Sequence, residues 1–215
     1  MKIALLGAES TGKTELAQAL VRHLHAQGRP AHLVPEVLRE WCDRQGRTPQ
    51  PHEQAAIAHQ QAQRVASAPP GAVVVADTTP LMTAVYSELL FADRSLYPMA
   101  LAHQRSYHFT LLTGLDLPWV ADGMQRDGPH VREPVDALVR AALAGAGIGF
   151  HTIYGHGSAR LSNAVNAIAI EANNDQLTGA KGTFDSKSAT PWRWSCDKCS
   201  DPDCEHRLFA GLLTR

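Results

Sequence analysis

Residues Gly7 to Thr14, with the sequence GAESTGKT, decide the fold of this chain. The apolar run Lys2 to Leu6 precedes them without a gap, and an amphipathic helical pattern runs from Thr14 to Gln27. The octet matches G-x-x-x-x-G-K-[ST], a loop between a strand and a helix whose backbone N–H groups surround an anion. We therefore predict a phosphate-binding loop that holds a nucleoside triphosphate.

The fixed positions of this loop have chemical reasons. Two glycines let the backbone turn tightly, and the start of the helix adds its positive dipole end. The lysine reaches the β- and γ-phosphates, and the hydroxyl of Thr14 is a ligand for Mg²⁺. The residues that we expect to bind ATP here are Gly7, Glu9, Ser10, Thr11, Gly12, Lys13 and Thr14.

Size and composition limit the function classes. The chain has 215 residues, 44% of them hydrophobic and 19% charged, with a formal net charge of −1. These values predict one globular α/β domain, and the lack of a dense Lys/Arg block disfavours nucleic acid as a partner. No run of eighteen apolar residues occurs, and the first strand begins at once. We expect no membrane span, no signal peptide and a cytoplasmic location.

Strand and helix patterns alternate along the chain. The segment 72–77, AVVVAD, is a continuous apolar run typical of a strand that is buried on both faces of a parallel sheet. Further strands are predicted at 2–6, 31–34, 108–113 and 150–154. Helices are predicted at 14–27, 36–41, 52–66, 80–91, 95–106, 135–143 and 158–172. The alternation predicts an α/β fold of the P-loop NTPase type, with a mostly parallel sheet and helices on both faces.

Asp77 is the second candidate site residue. It ends the most apolar strand, at the sheet edge where open α/β folds bind ligands. Its carboxylate is suited to hold Mg²⁺ or to accept a proton from a substrate hydroxyl. The alternative is a cap for the following helix, a role that Thr78 or Thr79 would share.

Two arginines in the Gly/Pro-rich stretch 124–132 are further candidates. Arginine-bearing loops over a phosphate site neutralise the charge that develops in phosphoryl transfer. Arg126 is therefore included among the catalytic candidates, and Arg132 lies in the same stretch. The alternative for either residue is an ordinary solvated charge.

Six separated blocks of residues 1–172 resemble the ribosylnicotinamide kinase domain of the NadR type, a family of P-loop kinases. The blocks are GAESTGKT, Pro35-Glu36 with Arg39-Glu40, His59-Gln60, Asp77-Thr78, and Pro118 to Gly123 followed by Gly155 to Asn163. The resemblance implies transfer of the γ-phosphate of ATP to the 5′-hydroxyl of nicotinamide riboside. The product would be nicotinamide mononucleotide, a step of NAD salvage.

The resemblance also implies roles for residues. Glu36 and Arg39 would face the riboside, and Asp77 would bind its ribose or Mg²⁺. Either Tyr86 or Trp119 would stack on the cationic ring, although a loop tryptophan is as often a core residue. The stretch Pro118 to Gly123 adds Asp122 to the substrate residues, and the stretch Gly155 to Asn163 places Arg160 against the adenine.

The sequence departs from the family pattern in two places. The strand ends in Asp77-Thr78-Thr79, where the family often has Asp-Thr-Asp, and Arg126 lies one position later than usual. The missing carboxylate leaves open a kinase for another nucleoside or metabolite. For the proton acceptor we favour Asp77 and keep Glu36 in reserve, beside Lys13 and Arg126 as the other catalytic residues.

The tail carries a separate constellation. Beyond residue 172 the composition becomes polar, so we predict a boundary between a kinase domain, 1–172, and a tail, 173–215. Four potential ligands of a structural Zn²⁺ lie there: Cys196, Cys199, Cys204 and His206. An iron–sulfur cluster and reduced thiols are the alternatives. The basic residues around them raise a further hypothesis, an ATP-binding regulator that contacts a protein partner through this metal-binding tail.

Overall fold

The computed structural model describes residues 1–120 and 128–179. Five strands within these ranges form one sheet: β1 (Lys2–Leu6), β2 (Ala31–Val34), β3 (Val73–Asp77), β4 (Phe109–Thr113) and β5 (His151–Ile153). The order across the sheet is β2-β3-β1-β4-β5, and each neighbouring pair is parallel. The predicted α/β fold with a parallel sheet is confirmed.

Helices connect the strands. They are α1 (Lys13–Ala26), α2 (Val37–Gln45), α3 (Gln54–Ala66), α4 (Pro80–Phe91), α5 (Tyr97–Gln104), α6 (Arg132–Gly145) and α7 (Gly157–Gly179). Short 3₁₀ turns at Pro51–Glu53 and Pro129–Val131 precede α3 and α6. Among the described residues, none of the helices combines the length and apolar character that a membrane crossing requires.

Alternating side chains of the central strand pack against helices on opposite faces. Ile3 and Leu5 join α1 and α7 in one cluster, whereas Leu6 packs with α4 and α6 in another. These side chains are fully buried, and each such burial stabilises the fold by about 1.5–3 kcal/mol. The continuous apolar runs of β1 and β3 are thus explained by a sheet covered on both faces.

Several predicted helices differ from the observed ones at their ends, for example α2, which was predicted to end at residue 41 and continues to Gln45. The segment predicted as one helix from residue 52 begins as a 3₁₀ turn, Pro51–Glu53, in which the Glu53 carboxylate accepts a hydrogen bond from the Gln50 N–H. The last helix continues to Gly179 rather than ending at Ala172, since nothing in the sequence NNDQLT stops a helix. One compact unit covers Met1–Gln176, and a separate unit begins at Leu177. The domain boundary after residue 172 stays a prediction.

The sheet order brings the candidate residues to one edge. β1 lies between β3 and β4, so the loops that follow these three strands meet at their carboxyl ends. The phosphate-binding loop follows β1, Asp77 ends β3, and the segment 114–120 follows β4. The carboxyl edge at a change of strand order is where open α/β sheets bind ligands.

Candidate active site

The phosphate loop has the backbone conformation that its glycines predict. Gly7 has φ +145°, and a Cβ placed there would lie 2.1 Å from the Thr113 hydroxyl, so no other residue fits without movement. Gly12 is left-handed at φ +72° and directly precedes α1. Ser10 also has a positive φ, of 54°, although it carries a side chain. The loop thus holds a strained turn at the start of a helix, as anion binding requires.

Hydrogen bonds within the protein fix this loop. The buried hydroxyl of Thr11 lies 2.8 Å from the Ala8 carbonyl oxygen and 2.7 Å from the Thr113 hydroxyl. The Lys13 ammonium donates to the same Ala8 carbonyl at 2.7 Å. Lys13 is therefore folded back along the loop, and reaching a phosphate would exchange this contact for an ionic one.

Arg160 reaches the loop from α7. Its guanidinium donates to the Thr11 carbonyl at 2.7 Å, to the Gly155 carbonyl, and to the Asp116 carboxylate at 3.3 Å. Only 4% of Arg160 is exposed. Its two terminal nitrogens thus donate to protein oxygens around the loop, and the placement of Arg160 against the adenine stays a prediction. Burial and these contacts make it a residue that holds the loop.

Asp116 completes this junction. It accepts a hydrogen bond of 2.6 Å from the Gly155 N–H in addition to the contact from Arg160. Partial burial raises the pKa of the Asp116 carboxyl, but these two donors outweigh it and hold the pKa below its ordinary value. Sequence reasoning missed Asp116, since its partner lies 44 positions away and no local pattern signals the pair.

A cavity of about 910 Å³ lies beside the phosphate loop, and we call it the large cavity. Its lining includes Lys13 and Thr14 at one part, and Glu36 and Arg39 from the start of α2. Met82, Tyr86 and Leu90 from α4 contribute apolar surface at a spacing of four residues, which places them on one helix face. Further lining residues are Glu9, Leu38, Cys42, Asp43, Pro49, Gln54, Thr78, Phe91 and Val120.

Glu36 is an ionisable group of the large cavity whose pKa is shifted by its surroundings. Its side chain is 16% exposed and lies 3.6 Å from the Arg39 guanidinium. Burial raises the pKa of the Glu36 carboxyl; Lys13 and Arg39 oppose this, whereas the charge of Asp77 adds to it. The interactions with Lys13 and Asp77 bring Glu36 into one group with the phosphate loop and the end of β3.

The loop before α2 is held by a buried glutamine. Gln61 of α3 accepts a 2.8 Å hydrogen bond from the Val37 N–H and donates to the Pro35 carbonyl at 3.3 Å. These bonds flank Glu36 on both sides, so α3 sets the position of its backbone. The sequence pattern marked the neighbouring His59-Gln60 pair instead and gave no signal for Gln61.

The end of β3 leaves polar atoms without partners. Asp77 is 3% exposed, and its Oδ1 has no hydrogen bond to any residue that the structure describes. The same holds for the hydroxyl of Thr78, a threonine at φ +75°, where β-branched residues are strained. Thr79 caps α4 by accepting a bond from the Leu81 N–H. The capping role thus belongs to Thr79, and the Asp77 carboxylate oxygen is available to a ligand.

Mg²⁺ fits these residues. A buried carboxylate oxygen without a donor, next to a phosphate loop, is the kind of oxygen that this cation prefers. Thr14 and Asp77 are the residues that would hold it, together with phosphate oxygens and water.

Trp119 differs from Tyr86 in its position. Pro118 and Val120 line the large cavity but Trp119 does not, whereas Tyr86 does. Of the two candidates for stacking on a ring, the geometry supports Tyr86. The segment bearing Trp119 is tied to the loop, because the Val120 N–H donates to the Ser10 hydroxyl at 2.8 Å.

The remaining candidates are distributed as follows. Arg132 begins α6 and is 8% exposed, with a 3.3 Å bond from its guanidinium to the Leu115 carbonyl, so it is not a solvated loop charge. Asp122 and Arg126 lie outside the described residues, as do the four proposed zinc ligands Cys196, Cys199, Cys204 and His206. Their assignments stay predictions.

Comparison with known proteins identifies the family. A model of the AAA domain family matches residues 2–160 of the 215. The chain belongs to this family. No curated protein sequence matches the chain.

Solved structures share the fold of this AAA domain. NadR protein in complex with NAD and AMP-PNP matches at 18% identity and a TM-score of 0.62, covering 85% of this chain and 51% of that one. NadR in complex with NR matches at 19% and 0.63, covering 79% and 50%. Deoxyadenosine kinase from M. mycoides with bound dCTP gives 11% and 0.52, covering 79% and 100%.

These likenesses concern the fold. The chain spans about half the length of the NadR structures that it matches. The resemblance to the NadR type, inferred from separated motifs, is confirmed at this level. The AAA domain therefore has a P-loop fold that is shared with kinases.

Proposed function

We propose that the protein is an ATP-dependent kinase that phosphorylates the 5′-hydroxyl of nicotinamide riboside. The observation that carries this proposal is the continuity of the large cavity with the phosphate loop. One cavity is lined by Lys13 and Thr14 of the loop, by the carboxylate of Glu36, and by the aromatic residues Tyr86 and Phe91. Such a cavity suits a small acceptor that has both a hydroxyl and a flat ring.

The phosphate loop would bind the triphosphate. Its backbone N–H groups and Lys13 hold the phosphates, and Arg160 keeps the Thr11 carbonyl and the loop in place. Mg²⁺, held by Thr14 and Asp77, would neutralise phosphate charge when bound. The loop thereby orients the γ-phosphate toward the large cavity.

The acceptor hydroxyl would be oriented by Glu36. In the transfer, the bond between the γ-phosphorus and the ADP oxygen breaks and a bond to the 5′-oxygen forms, while the hydroxyl proton passes to a carboxylate. Glu36 lines the large cavity and has a raised pKa, so it is the better proton acceptor. This assignment reverses our sequence-based preference for Asp77, which is more deeply buried and better suited to the cation.

The acceptor ring would lie against α4. Tyr86 presents an aromatic face in the large cavity, and the nicotinamide ring of the riboside is cationic. A cation over an aromatic ring is stabilised by about 0.5–2 kcal/mol. The NadR structures with NR and with NAD and AMP-PNP support this choice of ligands, which we extend here to this chain.

A second candidate is a kinase for another nucleoside. The fold shared with a deoxyadenosine kinase and the absence of a second carboxylate at Thr79 favour it. Both kinase activities would bind ATP through the same residues of the phosphate loop, and they would differ in the ring of the acceptor that the large cavity binds.

An acceptor panel tests the proposal. ADP and phosphorylated product are measured with ATP–Mg²⁺ and nicotinamide riboside, deoxyadenosine, cytidine, uridine or water alone. We expect nicotinamide mononucleotide to form in a 1:1 ratio with ADP, at a kcat/KM at least about tenfold above that of the other acceptors. Preference for deoxyadenosine would replace the substrate assignment, and ATP binding without turnover on any acceptor would favour the regulator hypothesis.

A further inference from the structure

Gln54, the first residue of α3, is a polar group of the large cavity that the mechanism does not use. Only 2% of the residue is exposed, and it lines the large cavity. Its Oε1 atom has no hydrogen-bond donor among the residues that the structure describes. A buried amide oxygen left unpaired costs about 1–3 kcal/mol in the free energy of folding, so such a group in a native structure calls for an explanation, of which a bound partner is one.

The position of Gln54 relative to Glu36 follows from the helix. Gln61 lies seven residues later on α3, and its amide holds the loop on both sides of Glu36. Residues seven apart lie on the same face, separated by about 10 Å along the axis. One face of α3 therefore positions the proposed proton acceptor at one end and carries an unpaired amide at the other. This span is comparable with the distance from the 5′-hydroxyl of a nucleoside to the far edge of its ring.

The chemistry of the amide defines its partner. A glutamine side chain has an acceptor oxygen and an NH₂ donor side by side, and half a turn about its last bond exchanges them. Its complement is a ring edge with an N–H donor next to an acceptor, as in a carboxamide. A carboxylate in the same place has only acceptors, so it fails to supply the donor that Oε1 lacks.

We propose that Gln54 selects the acceptor by pairing with an amide-type ring edge, and so distinguishes nicotinamide riboside from nicotinic acid riboside. This inference rests on the proposed function and deepens it, because it assigns the group that reads the ring substituent. Gln54 acts on acceptor binding rather than on the phosphoryl transfer.

The test replaces Gln54 by methionine, which has a similar length and no hydrogen-bonding amide. We measure kcat and KM for nicotinamide riboside, nicotinic acid riboside and ATP. The wild type is expected to prefer the amide, and Gln54→Met to lower kcat/KM for nicotinamide riboside about ten- to hundredfold, mainly through KM. The value for nicotinic acid riboside is expected to change less than about threefold, and KM for ATP less than about twofold.

Gln63 supplies a matched control on the same helix, because its side chain is exposed. Gln63→Met is expected to leave all three substrates unaffected. Gln54→Met should not lower the melting temperature, since the change removes an oxygen that has no hydrogen-bond partner among the described residues. If this variant does not fold, Gln54→Leu is measured in its place. An equal loss for both ribosides, or no loss, would overturn the inference.

The panel separates this failure from failure of the proposed function. If the wild type phosphorylates no acceptor, the kinase proposal has failed, and calorimetric titration with nicotinamide riboside then decides the role of Gln54. Weaker binding to Gln54→Met than to the wild type would support the selection role. Equal binding, or none to either protein, would overturn it.

Discussion

Lys13 and Thr14 belong to both the phosphate loop and the large cavity, but the two regions differ in how far their polar groups are hydrogen-bonded within the protein. In the loop, Thr11 and Lys13 are bonded to protein oxygens, and Arg160 adds a clamp from α7. In the large cavity, the buried oxygens of Thr78 and Gln54 have no hydrogen-bond partner among the described residues, and the same holds for Oδ1 of Asp77, the neighbour of Thr78 at the end of β3. The loop is therefore built before a ligand arrives, whereas we infer that the cavity completes its hydrogen bonds with the acceptor.

The unpaired atoms of the large cavity lower the stability of the fold, and ligand binding explains why they are kept. Each unpaired buried polar atom costs about 1–3 kcal/mol, a large share of the stability of a small domain. Such costs persist at sites where a ligand repays them. Four changes test the comparison, ordered from the largest expected effect to the smallest.

Lys13→Met is expected to have the largest effect. Removing the ammonium leaves the phosphates without their main point charge, and we expect kcat to fall about 10³-fold while the fold is kept. Steady-state ADP formation measures this loss. Lys2→Met, at the start of β1, is the control and should keep most of the activity. Retention of activity in Lys13→Met would mean that the loop does not hold the reacting phosphates.

Glu36→Gln tests the acidic group of the large cavity. We expect kcat to fall about 10²–10³-fold, because the amide accepts no proton. Burial raises the Glu36 pKa above 4.5, so the ionised base is lost as pH falls through a value above the ordinary carboxyl range. The acidic limb of the wild-type profile of kcat/KM against pH should lie there and be missing in Glu36→Gln.

Two further variants sharpen the assignment of Glu36. Glu40 lies in the first turn of α2, one turn after Glu36, and pairs with Arg64. The variant Glu40→Gln should leave the pH profile unchanged. Asp77→Asn should instead raise the Mg²⁺ concentration required for half-maximal rate. If Asp77→Asn removes the acidic limb and Glu36→Gln keeps it, the two roles are exchanged.

Gly7→Ala tests whether the loop is fully packed. The added Cβ would lie 2.1 Å from the Thr113 hydroxyl and 3.1 Å from the Thr113 carbonyl oxygen, so the Thr113 side chain must leave its hydrogen bonds or the backbone must shift. We expect the free energy of unfolding to fall by about 3 kcal/mol in urea titrations. Gly46→Ala is the control: φ is +65° but no atom lies within 4 Å, and a loss of about 1 kcal/mol is expected. Equal losses in the free energy of unfolding for the two variants would show that the loop has space for a Cβ at position 7.

Asp116→Asn should have the smallest effect. The pKa of Asp116 is held below 3.8, so its stabilising effect is complete above that pH and is lost as pH falls through the lower folded value. We expect the variant to lose part of the acid sensitivity of unfolding. KM for ATP should rise no more than about fivefold, since the partly exposed Asp116 carboxylate is only one of the groups that hold the buried Arg160. A hundredfold rise would make Asp116 a direct phosphate or metal ligand.

The sequence predicted the parts that depend on local pattern. The octet GAESTGKT and the apolar runs of β1 and β3 gave the loop, the parallel sheet and the position of Asp77. The helix α4 was predicted at its observed bounds, residues 80–91, and in the structure the Thr79 cap and Pro80 define its start. In these places a few neighbouring residues determine the structure.

Contacts between distant residues were not predictable in this way. The bond from Arg160 to Thr11 spans 149 positions, and the position of Gln54 in the large cavity depends on how α3 packs on α2 and α4. The stacking candidates Tyr86 and Trp119 were equivalent by composition, and only the lining of the cavity separates them. Each of these contacts requires the tertiary fold to be known.

Separate titrations of ATP–Mg²⁺ and nicotinamide riboside test the central claim most directly. Calorimetry with the wild type, Lys13→Met and Tyr86→Ala gives both dissociation constants for one variant of each region. We predict that Lys13→Met weakens ATP binding at least about tenfold and nicotinamide riboside less than about threefold, and that Tyr86→Ala does the reverse. If Tyr86→Ala weakens ATP as much as the riboside, or leaves both unchanged, the large cavity is not the acceptor site.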